Sequence, residues 1–171
     1  MSSGEKLWFG LAVVVGVVLA LSLLGTTNAD PTETSITADH AQTSTTFYMN
    51  LARQDAIDAD IPPDWFVRQI NMESGFNPKA LSPAGAEGIA QFMPATAAGL
   101  GISPWDPVAA LKGAAQLMAR YQARYGGDYA KALAAYNAGS GTLQSALARC
   151  GASWLHCLPA ETQHYIAVIM S

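Results

Sequence analysis

At 171 residues the chain has room for one compact domain and a leader, but not for two full-sized domains. Nine basic and thirteen acidic side chains give a net charge of −4, of which −3 falls in residues 1–46 and −1 in residues 47–171. So nearly neutral a domain has no basic stripe with which to neutralise phosphates, which excludes nucleic acid as a partner.

The first element is apolar. From Leu7 to Gly25, LWFGLAVVVGVVLALSLLG, nineteen residues pass without a charge, close to the ~20 that cross a bilayer as a helix. That run exceeds the roughly 7–15 apolar residues of a cleavable signal peptide, so it reads as a transmembrane anchor. Thr27-Asn28-Ala29, with small outer residues, keeps signal-peptide cleavage open as the alternative. Lys6 and the amino terminus place residues 1–6 in the cytoplasm by the positive-inside rule. The rest is then expected outside it, either as a single-pass membrane protein facing the periplasm or cell exterior, or as a secreted domain. Residues 26–46 are rich in Thr, Ser, Ala and Asp and poor in large apolar side chains, the composition of a flexible linker.

From residue 47 to 171 the pattern is that of one mostly α domain. Phe47, Leu51 and Ile57 roughly follow a helical stripe, and Pro62-Pro63-Asp64 opens a helix carrying Trp65, Phe66 and Ile70. Asp106-Pro107 combines a cap with a first-turn proline and starts a long helix through Leu111, Ala115, Met118 and Tyr121 that stops at Gly126-Gly127. Asp128 caps DYAKALAAYNAG, which Gly139 ends, and a last helix follows Pro159. Only Ala80–Ala90, with Pro83, Gly85 and Gly88, suggests a small β or turn-rich excursion.

Within the Pro63 helix, Phe66, Ile70 and Glu73 stand at i, i+4 and i+7, so the carboxylate shares a face with apolar side chains. Burial there disfavours the charged form and brings the group into the range of a general acid. On spacing alone, the commoner role of such a Glu is a solvated or backbone-bonded helix end.

Three blocks change that balance: ESGFNPKALSPAGAEGIAQFMPATA (Glu73–Ala97), ALAAYNAG (Ala132–Gly139) and LPAETQHYIAVI (Leu158–Ile169). In this order and spacing they resemble the SLT domain of lytic transglycosylases, peptidoglycan-cleaving enzymes with a lysozyme-like fold, over roughly residues 48–169. The resemblance implies that Glu73 is the lone acid/base for the MurNAc–GlcNAc β-1,4 bond. It would protonate the glycosidic oxygen and then take the proton of the sugar's own C6 hydroxyl, giving a 1,6-anhydro-MurNAc end. No second carboxylate is needed, unlike the paired-carboxylate glycosidases.

The resemblance also casts Ser74, Gln91, Tyr136, Asn137 and Glu161 as substrate-binding or supporting residues. Gln91 would contact sugar, Gly88 would let backbone approach the saccharide, and Tyr136 would hydrogen-bond near the acid/base carboxyl. Ala90 stands where the family often has Met. Asn137 doubles as a helix-end residue, Glu161 as a first-turn Glu favourable to the helix dipole, and Tyr165 as core or groove wall. The implied partners are peptidoglycan strands, the membrane through the N-terminal helix, and an envelope-spanning assembly; no cofactor is implied. A lysozyme-type hydrolase, or a silent glycan-binding or scaffold module of a secretion, conjugation or phage-entry apparatus, are the alternatives.

Cys150 and Cys157, with six residues between them in an exported domain, read as a disulfide pair. His156 and His164 lie nearby, but the spacing fits no standard zinc pattern, and no metal is expected.

Overall fold

Proline or aspartate starts most of the described helices, and glycines stop several of them. The computed structural model describes residues 31–171, with side chains described from residue 43. The anchor expected over residues 7–25 lies outside the described residues, among which no helix is long and apolar enough to cross a membrane.

Helix α1 spans Pro31–Asp58 and α2 spans Pro63–Ser74, entered through Pro62 and left through Gly75 in the left-handed conformation at φ 60°. From Pro31 onward, therefore, the stretch expected to be a flexible linker is helical. Thr and Ser each disfavour a helix by only a few tenths of a kcal/mol. Once Ala52 and Ala56 of α1 are packed in the core, the helix propagates backward at one backbone hydrogen bond per residue.

Helix α3 (Pro94–Leu100) is followed by α4 (Pro107–Arg124), whose cap Asp106 accepts hydrogen bonds from the Val108 and Ala109 amides at 3.0 and 3.1 Å. Asp128 likewise caps α5 (Tyr129–Asn137) through the Lys131 amide at 3.1 Å. Helix α6 (Ser140–Cys150), a 3-10 segment (Gly151–Cys157) and α7 (Ala160–Met170) complete the chain. A disulfide joins Cys150 to Cys157 with the Cα atoms 6.6 Å apart, fastening the 3-10 segment to the end of α6.

The described residues contain no strand. The expected excursion is a turn-rich loop holding two isolated bridges, Leu81 to Glu87 and Glu87 to Phe92. Helix α4 packs on α1 and α5, and α7 packs on α2 and α5. Alanine makes those approaches close: Ala52, Ala56, Ala110, Ala114, Ala132 and Ala134 are fully buried. Phe66, Ile70, Leu111, Met118, Leu133, Leu143 and Ile169 fill the space between helices, each contributing about 1.5–3 kcal/mol on removal from water.

Candidate active site

Glu73 sits in the last turn of α2, immediately before a reversal of the chain. Gly75 and Phe76 both take positive φ, 60° and 62°. Glycine adopts this conformation freely, whereas for Phe76 it costs about 1–2 kcal/mol. Burial of the Phe76 ring, 4% exposed, offsets that strain. The reversal returns the chain alongside the end of α2, where the Ser74 hydroxyl donates to the Ile89 carbonyl at 2.6 Å. Ser74 thereby ties the carboxylate's helix to the 80–92 loop.

That loop is held from within. Gln91, itself at φ 49°, donates from its side-chain amide to the Gly88 carbonyl at 2.9 Å and to that of Ala80 at 3.3 Å. The Gly88 amide donates to the Ala80 carbonyl at 2.8 Å. Gly88 is required for a reason not visible in the chain order: a Cβ there would lie 1.8 Å from the Pro104 carbonyl oxygen. Its absence admits another stretch of the protein's own backbone.

Two tyrosines converge on the site from different helices. Tyr136, near the end of α5, donates its hydroxyl to the Ala90 carbonyl at 2.7 Å, and its ring lies 6.0 Å from that of Phe92. Tyr165, in the middle of α7, donates to Oε1 of Glu73. The partner expected of Tyr136 is thus supplied by Tyr165, because α7 is the helix packed against α2 while α5 carries Tyr136 to the loop. Asn137 accepts from the Thr162 hydroxyl at 2.8 Å and joins α5 to α7 beside this pair. Glu161 lies half-buried one turn before Tyr165, and no hydrogen bond or ion pair links it to Glu73 or Tyr136 among the described residues.

Although part of the Glu73 side chain reaches the surface, protein encloses its carboxyl. Burial pushes its pKa from the ordinary 4.5 up to about 7, and the Tyr165 hydrogen bond pulls in the opposite direction. Burial also raises both tyrosine hydroxyls well above their ordinary range, with the Glu73 charge adding to it. Tyr165 and Tyr136 therefore remain protonated donors. Among the described residues no second carboxylate acts on Glu73, whose pKa of about 7 lets it hold or release its proton near neutral pH.

Tyr165 is the site residue that the motif reading left out. Its signal was nevertheless in the sequence: Thr162, Tyr165, Ile166 and Ile169 form one buried stripe on α7, and a tyrosine on such a stripe needs a partner for its hydroxyl.

A helical, lysozyme-like domain with one enclosed carboxyl at a helix end is the class that fold and site define. The comparisons sharpen it. A family model described as the transglycosylase SLT domain matches residues 50–153, and the chain belongs to that family. The membrane-bound lytic murein transglycosylase D of Escherichia coli K12 is 32% identical over 113 residues, 58% of this chain and 25% of that protein. A transglycosylase of Enterobacteria phage PRD1 is 42% identical over 72 residues, 42% of this chain and 27% of that one. Among solved structures, the 70 kDa soluble lytic transglycosylase SLT70 of E. coli superposes with a TM-score of 0.63 at 25% identity, covering 71% of this chain and 22% of that one. The same enzyme in complex with bulgecin A gives 0.64. The matched part of the chain spans about a quarter of the length of these relatives.

Proposed function

We propose that the protein is a peptidoglycan lytic transglycosylase, cutting the MurNAc–GlcNAc β-1,4 bond with formation of a 1,6-anhydro-MurNAc end. The observation that carries this reading is the enclosed Glu73 carboxyl with its pKa at about 7 and, among the described residues, no second carboxylate acting on it. Such a group is present as both acid and base at neutral pH, as a one-residue acid/base mechanism requires. Protonated Glu73 gives its proton to the glycosidic oxygen as the C1–O bond breaks. The resulting carboxylate, held by the Tyr165 hydroxyl, then accepts the proton of the C6 hydroxyl as O6 bonds to C1. Glu73 ends protonated and ready for the next cycle, and no water is consumed. Ser74, Gln91, Tyr136 and Asn137 support this by fixing the loop and helices around the carboxyl. Glu161, half-buried on the same helix as Tyr165, is the candidate for contact with the sugar chain.

The test is mass spectrometry of muropeptides released from purified peptidoglycan. Anhydro ends are expected; reducing ends instead would make the protein a lysozyme-type hydrolase with water as nucleophile. Glu73→Gln should abolish release, and unchanged release would leave a silent glycan-binding or scaffold module. The reading extends to the cell envelope: residues 7–25 anchor the chain in the membrane with its domain facing outward, where an envelope-spanning assembly would find it. Membrane fractionation of the full chain tests this, with a soluble mature protein pointing to cleavage after Ala29.

A further inference from the structure

One turn before Glu73 on the same face of α2 stands Gln69, a primary amide with no exposed surface. Its Oε1 accepts a long hydrogen bond from the Tyr129 hydroxyl, at 3.4 Å, and its Nε2 has no partner. Turning the amide over exchanges the two atoms and leaves the oxygen unpaired instead, so one amide atom is left over in either orientation. An orphaned buried group of this kind is destabilising, and a leucine would fill the position without it. Its surroundings suggest why it is tolerated. Tyr129, 3% exposed, interacts electrostatically with both Tyr136 and Tyr165, and Tyr165 holds Glu73. Gln69 thus stands one helical turn from Glu73 on α2 and is bonded to a tyrosine whose charge both Tyr136 and Tyr165 feel.

We propose that Gln69 is a positioning residue of this site: a buried, reorientable dipole, relayed through Tyr129, that balances the protonated and charged forms of Glu73. When Glu73 is neutral the amide rests as observed. When Glu73 becomes a carboxylate, amide and hydroxyl turn their N–H and O–H toward the new charge and limit what its burial costs. The titratable groups facing Glu73 are Tyr165 from α7 and Tyr136 from α5, with Tyr129 behind them and Tyr121 of α4 beside Tyr136. None of the four carries a positive charge, so dipoles alone must do this.

The inference deepens the transglycosylase reading and rests on it, and the experiment separates the two. The full chain, Gln69→Leu and Tyr129→Phe are compared by the pH profile of kcat/KM for muropeptide release, by thermal melting, and by NMR titration of the Glu73 carboxyl without substrate. Gln69→Leu is expected to melt at or above the parent temperature. It should nevertheless move both the carboxyl titration and the alkaline fall of kcat/KM up by about half a pH unit to one. Tyr129→Phe should shift them the same way by less. A leucine variant that melts higher with neither curve displaced would make Gln69 a packing defect and overturn the proposal. If the parent chain releases no muropeptide, the functional reading fails, while the NMR titration still decides the dipole's effect on Glu73.

Discussion

A carboxyl that prefers to be neutral leaves its mark on stability as well as on catalysis. Below 4.5 both the folded and the unfolded chain carry the Glu73 proton. Above about 7 the folded chain buries a charge that the unfolded chain leaves in water. The contribution of Glu73 to stability therefore falls as pH rises through that window. Glu73→Gln should be more stable than the parent near pH 8, by about 1–3 kcal/mol, with the advantage vanishing near pH 4. Thermal melts across this range check it, and a pH-independent difference would contradict the burial of the carboxyl. Tyr165→Phe removes the hydrogen bond that pulls the Glu73 pKa down. Its kcat/KM should fall roughly 10–100-fold through lost orientation, and the alkaline fall of the remaining activity should move to higher pH. At this scale the sequence showed the carboxyl and its apolar face through the 66, 70, 73 spacing. It did not show which tyrosine reaches the carboxyl, because that depends on which helix crosses α2.

The elements were legible where punctuation was strong. Asp106-Pro107 and Asp128 start α4 and α5 as their caps suggested, and Gly75 ends α2. Helices α3 and α6 were not anticipated. The first is only seven residues long and embedded in a glycine-rich stretch. The second buries just Leu143 and Ala146, leaving too sparse an apolar stripe to announce a helix. Gly88 shows the limit of motif reading in another way, since its need for a missing Cβ comes from Pro104, sixteen residues on. Gly88→Ala combines a steric clash with backbone at φ 73° and should destabilise by about 2–4 kcal/mol. The denaturant midpoint reads this, and activity should fall with it as the loop that Ser74 grips is displaced. Replacing Cys150 and Cys157 together with serine frees a short loop whose closure is worth roughly 2–3 kcal/mol. Because neither cysteine is among the groups acting on Glu73, melting should drop while the pH profile stays in place.

Across the whole molecule, the mostly α architecture followed from helix caps and from alanine placed where helices meet. What no local pattern could convey is that the loop, α2, α5 and α7 close around one point. The Tyr165 to Glu73 contact joins residues 92 positions apart. A chain ended after Leu158 should therefore retain Glu73 yet release no muropeptide, with a second full-length chain failing to rescue it. Recovery of activity by adding the isolated α7 peptide would show that docking of this helix is what the site awaits. This dependence also bears on timing. A ribosome delivers Glu73 long before it delivers Tyr165, so during synthesis the chain carries this carboxyl without the clasp that prepares it. The proposed transglycosylase function would thus be withheld until the α7 helix has arrived and folded back, a form of safety that by itself requires neither an inhibitor nor a propeptide.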